Sequence, residues 1–465
     1  MTIQADLMGS LTLDQLQEFD RNHHMHPFTS AEALRIAPPF MIDSADGVYV
    51  SGQNIRLLDA MAGLGCVNIG YGRTELAETA AHVMKKLSYY HSFAAVTNPY
   101  AAALSQKIAS LAPIHMNKVF ISNSGSEAVE TALKLVALYW KTKGEPKRRA
   151  IITRDYAYHG STIATAALNG NAEMATQFGF IDSTTILRAK APYWYREGGD
   201  LTPDEFGIVA AQSVEETILE AGAENVAAFI GEPVQGTMGI IVPPATYWPE
   251  VERICRKYGV LLIADEVVSG FGRTGNWFAQ ETFGFSADIM TLAKGLSSSY
   301  LPVSATVISD DVAGVIEGGS ALLQHGFTTS GHPVTCAVAL KNILLLEEEG
   351  LVTAVREDKG PYFEASLNAA LGDNPLVGEI RTSGLMAAIE LTKDKATRVQ
   401  YPAELAICDH IGQAALMQGL IVRPVGNVVV MCPPFIISHA EIDFICSVLA
   451  EACDNVYAAL QNQGD

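Results

Sequence analysis

Short apolar runs alternate with amphipathic stretches through the centre of the chain. Six of these runs are rich in Val, Ile, Leu and Ala, which predicts strands at residues 118–123, 150–155, 226–232, 259–266, 288–293 and 302–308. Because the runs are nearly continuous in apolar residues, we expect both faces of each strand to be buried. Helical stretches between them, such as 126–142 with Ser124 or Ser126 as its cap, complete the pattern of an α/β fold with a mostly parallel sheet.

From about residue 335 onward the pattern changes. Longer amphipathic stretches predict helices at 334–349, 351–371 and 403–418, and shorter runs predict strands within 377–390 and 420–431. A chain of 465 residues exceeds the usual size of one domain. We therefore expect a large domain over 69–334 and a smaller α+β domain over 335–465, which the segment 1–68 joins through the strand pair in GVYVSG and IRLLDA.

The composition excludes several classes of protein. A formal net charge of −20 argues against nucleic acid as a partner, because phosphate binding needs clustered Lys and Arg. No apolar run reaches the roughly 20 residues that cross a bilayer, and the opening MTIQADLMGS has no basic segment before a hydrophobic one. The protein is therefore expected to be soluble and cytoplasmic, with no membrane partner.

Cysteine and histidine usage predicts no metal site. Seven scattered cysteines without a C-x-x-C pair argue against a disulfide framework or a zinc site. The cluster His23, His24 and His26 has two interpretations, metal ligation or a solvated or interface segment. The second is favoured, because no Cys or carboxylate is expected at ligand spacing beside the three histidines.

Three places combine a predicted strand end with chemically useful residues. In FISNSGSEAVE, the residues Ser124, Gly125 and Ser126 lead directly into a helix, whose first N–H groups and dipole favour an anion such as phosphate. A Ser/Gly helix cap without a ligand would have the same residues.

The other two places end in Asp265 and Lys294. Asp265 and Glu266 end the strand in LLIADE, at the sheet edge where α/β proteins bind ligands. A helix cap or a surface ion pair would have the same two acidic residues. Lys294 closes the strand in DIMTLAKG, where partial burial favours the neutral amine that forms a Schiff base. An ordinary surface lysine is the alternative.

Together the three places make up the minimum set for pyridoxal 5'-phosphate (PLP). The cradle holds the phosphate, Asp265 keeps the ring nitrogen protonated, and Lys294 binds the aldehyde carbon. The order of these features along the chain agrees with that function.

At this point the sequence resembles the class III, fold type I aminotransferases, and within them the omega-transaminases of the amine:pyruvate, putrescine:pyruvate-like branch. The resemblance covers nearly the whole chain. It rests on HHMHPFT, DAMAGLGCVNIGYGR, SNSGSEAVETALKL, AYHGSTI, IGEPVQG, ADEVVSGFGRTG, LAKGLSSSYLPVSA, HGFTTSGHP and IVRPVGNVVVMCPP. It implies a seven-stranded, mostly parallel sheet flanked by helices in the large domain.

The resemblance also implies roles for individual residues. Lys294 and Asp265 would be catalytic, Tyr158 would stack on one face of the cofactor ring and Val267 would pack on the other. Thr328 would reach the phosphate of the neighbouring subunit, which implies a homodimer, or a tetramer, with shared active sites. The remaining cofactor-binding residues would be Ser124, Gly125, Ser126, His159, Glu232 and Phe327.

Substrate choice is expected at a smaller set of positions. Arg423 in GLIVRPVGN would pair with the carboxylate of pyruvate. Val268 replaces the glutamine of the D-E-V-Q motif found in ornithine and GABA transaminases, which favours the amine:pyruvate branch. Gly65 stands where relatives commonly have Trp or Tyr, which leaves room for a bulky amine unless another side chain fills the space. The substrate-binding set is Phe28, Gly65, Phe93, Tyr158 and Arg423, with Tyr89 as a further candidate to fill that space.

The reaction implied is transfer of an amino group from an amine or omega-amino acid to pyruvate, giving alanine by a ping-pong cycle in which Lys294 moves the proton. Another PLP reaction, such as decarboxylation, racemisation or an aminomutase shift, is the alternative. A cofactor-fold protein without activity is disfavoured by Lys294 and Asp265. A nucleotide-binding protein is disfavoured because the G-x-x-x-x-G-K-[ST] motif is missing from the sequence.

Overall fold

The computed structural model describes residues 11–36, 38–178, 185–319 and 322–463. The opening segment 1–10, on which the expectation of no leader peptide rests, lies outside these residues. The strands in chain order are β1 (Ser44–Asp46), β2 (Tyr49–Gly52), β3 (Ile55–Asp59), β4 (Met116–Ser122), β5 (Ala150–Arg154), β6 (Ile186–Ala189), β7 (Val226–Gly231), β8 (Leu261–Asp265), β9 (Ile289–Leu292), β10 (Ser304–Ser309), β11 (Val377–Ser383), β12 (Met386–Leu391), β13 (Leu420–Ile421), β14 (Arg423–Val425) and β15 (Val428–Met431).

A seven-stranded sheet with the order β4-β10-β9-β8-β7-β5-β6 forms the centre of the molecule. Strand β10 pairs antiparallel with both neighbours, whereas β9, β8, β7, β5 and β6 pair in parallel. Every residue of β5, β7, β8, β9 and β10 is buried. The six predicted strands are therefore confirmed, and burial on both faces is confirmed for five of them. Strand β4, at the opposite edge of the sheet from β6, has exposed and partly buried residues in its middle.

Strand β6 was not predicted from the sequence. It is one of the two edge strands of the sheet, and three of its four residues are only partly buried or exposed. An edge strand needs no continuous apolar run, so the periodicity that marks the inner strands is missing here.

Helices cover the sheet and continue to the end of the chain. The described α-helices are Leu13–His23, Ala31–Ile36, Ala62–Gly65, Thr74–Lys86, Pro99–Leu111, Gly125–Thr142, Ile163–Ala167, Ala172–Thr176, Trp194–Glu197, Pro203–Ala221, Tyr247–Tyr258, Ala279–Phe283, Asp310–Gly318, Pro333–Glu348, Leu351–Ala354, Gly360–Leu371, Ile407–Met417 and His439–Gln463. The predicted helix over 351–371 contains a π-helical turn at Val355–Lys359. Within the described ranges, none of these helices has the length and apolar character needed to cross a membrane.

Two further sheets lie outside the central one. One has the order β11-β12-β15-β14, and the other has the order β1-β2-β3-β13. In the second sheet, β3 near the start of the chain pairs in parallel with β13 near its end. This pairing supports a small domain built from both ends, while the boundaries 1–68, 69–334 and 335–465 stay predictions.

The histidine cluster differs from the sequence expectation in one respect. Asp20 lies on the helix Leu13–His23, and its carboxylate is 2.9 Å from His24 Nδ1 and 2.7 Å from His26 Nε2. The expectation that no carboxylate stands at ligand spacing is therefore wrong. It missed that a residue four positions earlier lies on the same face of a helix.

Candidate active site

A cavity of about 630 Å³ lies at the carboxyl ends of the central strands. This is the edge of the sheet at which open α/β folds bind ligands. The residues predicted from the sequence that line it are Phe28, Ser124, Gly125, Ser126, Tyr158, His159, Glu232, Asp265, Val267, Lys294 and Arg423.

The phosphate cradle lies where β4 runs into the helix Gly125–Thr142. Ser124 caps this helix, since its hydroxyl accepts a hydrogen bond from the Glu127 N–H at 3.2 Å. A side chain at Gly125 would bring a Cβ within 3.1 Å of Val267 Cγ1, so glycine permits the close approach of these two segments. The first N–H groups of a helix have no partner within it, so the cradle presents free donors to an anion.

Asp265 is held by three hydrogen-bond donors at the end of β8. One carboxylate oxygen accepts from His159 Nδ1 at 2.6 Å, and the other accepts from the Thr291 hydroxyl at 3.1 Å and the Val267 N–H at 3.2 Å. Thr291 stands directly opposite Asp265 in the parallel pairing of β8 with β9. These donors fix the carboxylate in one orientation, and the side chain is only 3% exposed.

Glu266, the second acid of the pair, has a different environment. It is fully buried, and its carboxylate accepts hydrogen bonds from the Gln280 N–H at 2.8 Å and from the Ser269 hydroxyl. Burial raises the pKa of Glu266 to about 7. Asp265 therefore serves the cavity, while Glu266 belongs to the interior of the fold.

Lys294 follows β9 on a short turn that carries it into the cavity. Its backbone has a φ of 42°, a left-handed conformation that non-glycine residues seldom adopt. Asn342 donates hydrogen bonds to the carbonyls of Gly295 at 2.9 Å and Leu296 at 3.0 Å, which holds the turn in place. Such local strain persists only where surrounding contacts impose it, and it is typical of functional sites.

Glu232 organises the backbone around Tyr158. Its carboxylate accepts hydrogen bonds from the N–H groups of Tyr158 at 3.0 Å and Gly236 at 3.1 Å. Glu232 is buried, and this burial raises the pKa of its carboxyl. The Tyr158 hydroxyl lies 3.0 Å from Ser161 Oγ, so the ring is tied at both ends.

Arg423 supplies a guanidinium to the same cavity. It begins β14, where it pairs with Val430, and its side chain is half-buried. Burial lowers the pKa of Arg423. Among the residues that the structure describes, no hydrogen-bond or ion-pair partner faces this guanidinium. Its fork of donors is available to a carboxylate.

Gly65 lies behind the cavity wall rather than on its surface. Its neighbour Leu64 and the facing Val268 line the cavity, whereas Gly65 is buried with a φ of 69°. A Cβ at this position would lie 3.7 Å from Val268 Cγ1 and 3.9 Å from Cys432 Cβ. A side chain there would grow next to Val268, so its influence on the cavity stays a prediction.

Besides Gly65, four predicted residues do not line the cavity of the single chain: Tyr89, Phe93, Phe327 and Thr328. Phe93 packs against Gly326, where an added Cβ would be 2.8 Å from the ring, and Phe327 contacts the ring of His325. The Tyr89 hydroxyl donates to the Thr328 carbonyl at 2.6 Å. The structure thus joins the segments containing Tyr89 and Thr328, and their roles toward a cofactor or substrate stay predictions.

Some residues of the site were not found from the sequence. Thr291 holds Asp265 together with the predicted His159, Asn342 holds the lysine turn, and Asn123 links the cradle to the 325–332 segment through a 2.8 Å bond from the Thr329 hydroxyl. A polar residue within an apolar strand, as Thr291 is, was the one available signal. The others depend on contacts between distant parts of the chain.

The residues present fit PLP. A helix N-terminus with small residues follows β4 and faces the cavity, a fixed carboxylate lies at the end of β8, and a lysine follows the neighbouring strand β9. Val267 and Tyr158 line the cavity between them, as a flat ring requires. His159 Nε2 is buried without a partner among the described residues. The imidazole ring therefore makes its hydrogen bond through Nδ1, to Asp265.

Comparison with known proteins agrees with this site. Residues 31–453 match the family model described as Aminotransferase class-III. A putrescine–pyruvate aminotransferase of Pseudomonas aeruginosa is 44% identical over 445 residues, which cover 96% of this chain and 97% of that protein.

Solved structures of similar proteins show the same fold. An (S)-enantioselective omega-transaminase from Thermomicrobium roseum has a TM-score of 0.92 at 39% identity, covering 96% of this chain and 99% of that one. An omega-transaminase variant with a tryptophan-to-glycine replacement, engineered for synthesis of enantiopure bulky amines, also has a TM-score of 0.92 at 39% identity, covering 95% and 99%. Class-III aminotransferases have the fold type I architecture and depend on PLP. The chain belongs to the class-III aminotransferases.

Proposed function

We propose that this aminotransferase moves an amino group from an amine or omega-amino acid donor to pyruvate, giving alanine. The observation that carries the proposal is the guanidinium of Arg423, which lines the same cavity as Lys294 without a carboxylate partner among the described residues. A keto acid presents a carboxylate that matches this fork of donors. The Pseudomonas aeruginosa relative is named for putrescine–pyruvate aminotransfer, which supports the same acceptor.

The residues that would hold PLP follow from the geometry of the cavity. Ser124, Gly125 and Ser126 would bind its phosphate at the helix N-terminus, and Asp265 would face its ring nitrogen. Tyr158 and Val267 would enclose the ring. When bound, the cofactor supplies an electron-accepting ring and an aldehyde with which amines condense.

The chain's own groups perform the proton transfers. Lys294 Nζ takes the proton from the substrate carbon that bears nitrogen and later returns a proton, acting as general base and then general acid. The Asp265 carboxylate is held in one position, because His159, Thr291 and Val267 donate hydrogen bonds to its two oxygens. The strained turn at Lys294 fixes the origin of the lysine side chain.

The outer part of the cavity favours an apolar group on the donor. Leu64, Val268, Phe28 and Met174 line it beyond the catalytic residues. With Gly65 behind Val268, a donor with a ring or branched chain has space, and a relative with a tryptophan-to-glycine replacement was engineered for bulky amines.

The subunit arrangement and location are also proposals. We infer a homodimer with shared sites, because Phe28 at the cavity is 77% exposed and Leu64 is 69% exposed in the single chain, which leaves apolar surface for a second copy. A cytoplasmic location is supported by seven cysteines that are all free.

A donor panel tests the proposed function. Purified holoenzyme is incubated with single amines and pyruvate or 2-oxoglutarate, and the amino acid formed is measured. We expect alanine in amounts equal to the ketone or aldehyde released. Donor consumption without any keto acid requirement would instead indicate decarboxylation, racemisation or an aminomutase reaction, since only transamination needs an acceptor.

A further inference from the structure

Asp20, His24 and His26 form a compact group near the start of the described chain. His24 Nδ1 lies 2.9 Å from Asp20 Oδ1, His26 Nε2 lies 2.7 Å from Asp20 Oδ2, and the ligand atoms of all three lie within 4.8 Å of one another. The imidazole rings are 4.4 Å apart between centroids. The group borders a surface cavity of about 530 Å³, to which His24 and His26 contribute.

Local structure brings these three side chains together. The helix Leu13–His23, capped at its start by Thr12, places Asp20 and His24 four positions apart on one face. At His24 the chain leaves the helix in an extended conformation, with φ −103° and ψ 122°. In an extended segment, residues two apart point to the same side, so His26 joins His24.

We propose that Asp20, His24 and His26 bind a divalent transition metal ion such as Zn²⁺ or Co²⁺. Two imidazole nitrogens and one carboxylate oxygen are ligands that these ions accept, and a water molecule completes four-fold coordination. The spacing already present requires only small side-chain rotations to put three donors around one ion. The side chains of Asp20 and His26 are 15% and 21% exposed, so two of the ligands are largely fixed, while His24 at 61% leaves a path for entry.

Positive charges near the three ligands lower the affinity for a cation but do not prevent binding. Arg21 and Arg35 border the same cavity, and their positive charge opposes a cation. One carboxylate offsets part of that repulsion. We therefore expect a metal that is lost to strong chelators, rather than a permanently held structural ion.

The position of the site connects it to the active-site cavity. His26 is followed directly by Pro27 and Phe28, which line the cavity that contains Lys294. Phe28 has a left-handed backbone with φ 51°. A metal ion bound by all three side chains links residues 24–26 to the helix that carries Asp20. It therefore also restrains Pro27 and Phe28, which form the outer wall of the substrate cavity.

Metal binding is measured directly, without turnover, so that its failure is distinct from failure of the proposed aminotransferase activity. Tag-free holoenzyme, desalted from chelator and free cofactor, is titrated with Co²⁺ and with Zn²⁺ by calorimetry. The visible d–d absorption of Co²⁺ reports the coordination. We expect one ion per chain and the absorption of a four-coordinate site with mixed nitrogen and oxygen ligands.

Four variants identify the ligands. His24→Ala removes a ligand atom, Asp20→Asn replaces the anionic carboxylate by a neutral and weaker amide oxygen, and His26→Gln replaces the imidazole by a poorer ligand of similar length. His23→Ala is the matched control, because His23 borders the same cavity but is outside the three-residue group. Loss of supporting contacts to metal ligands alone reduces affinity by about 10- to 100-fold. We expect at least that loss in the three ligand variants and less than about threefold in the control.

The outcomes separate clearly. Stoichiometric binding that the His24 and Asp20 variants abolish and the His23 variant retains supports the site. The absence of a one-to-one ion, equal binding by all four variants, or an equal loss in His23→Ala would overturn it. Because His24 is mostly exposed, its alanine variant should fold, and an unchanged melting temperature without metal verifies this.

Discussion

Replacement of Gly65 by tryptophan tests the assignment of substrate space in detail. Gly65 is buried beside Val268, and a Cβ added there would be in ordinary van der Waals contact, 3.7 Å from Val268 Cγ1 and 3.9 Å from Cys432 Cβ. A side chain can therefore begin at this position without collision. Its φ of 69° makes any other residue strained by about 1–2 kcal/mol. Both Gly65→Trp and Gly65→Ala carry that strain, and only the tryptophan adds bulk, so alanine is the matched control.

The magnitude follows from the apolar area that a bulky donor would lose. An aromatic ring that buries roughly 150 Å² contributes up to about 4 kcal/mol at about 25 cal/mol per Å². Complete exclusion of the ring would therefore lower kcat/KM by up to about 1,000-fold, and partial exclusion by about tenfold or more. A small donor that never reaches Val268 loses none of this.

The assay is alanine production from pyruvate with isopropylamine as the small donor and 1-phenylbutylamine as the bulky one. We expect Gly65→Trp to lower the ratio of bulky to small kcat/KM by at least about tenfold, with Gly65→Ala within about threefold of the parent. Equal loss on both donors, or the same ratio in both variants, would refute the assignment of this space to the donor.

Three further predictions concern the acceptor, the buried acid and the shared site. Arg423→Gln should lower kcat/KM for pyruvate by about 30- to 150-fold, because a charged hydrogen bond contributes about 2–3 kcal/mol, while an uncharged aldehyde acceptor should be unaffected in steady-state assays. Burial raises the pKa of Glu266 from 4.5 to about 7, so the folded state loses stability as the pH rises between these values and the carboxyl ionises. In pH-dependent unfolding, the free energy of unfolding of Glu266→Gln should exceed that of the parent by up to about 3 kcal/mol at pH 8 and should equal it below pH 4.5. Lys294→Ala and Thr328→Asp chains, each inactive alone, should regain activity when refolded together, because a mixed dimer has one intact site; no recovery despite mixed dimers on native mass spectrometry would contradict the shared site.

Much of the fold could be predicted because burial imposes a pattern. The inner strands need apolar side chains on both faces, so β7, β8 and β9 were visible as continuous runs. Strand β6 at the sheet edge is under no such constraint. The pairing of β3 with β13 joins residues from opposite ends of the chain, and no local pattern shows it.

The catalytic residues could be predicted from the sequence because they follow strand ends. Asp265 and Lys294 come at the ends of buried strands, and parallel strands present those ends at one edge of the sheet. His159 is 106 residues from Asp265, so their hydrogen bond could not be read from spacing. Thr328 and Phe93 do not line the cavity of one chain, and the role predicted for Thr328 requires a partner subunit. The Asp20 carboxylate was missed because its relation to His24 exists only once that segment is helical.

Transfer of nitrogen from the donor to pyruvate defines the proposed reaction, and isotope labelling measures it most directly. Holoenzyme is incubated with a ¹⁵N-labelled primary amine and unlabelled pyruvate, and alanine is analysed by mass spectrometry, with Lys294→Ala as the control. We expect alanine labelled with ¹⁵N in an amount equal to the carbonyl product, and none from the control. Donor consumed without labelled alanine, or labelled alanine formed equally by the lysine variant, would contradict it.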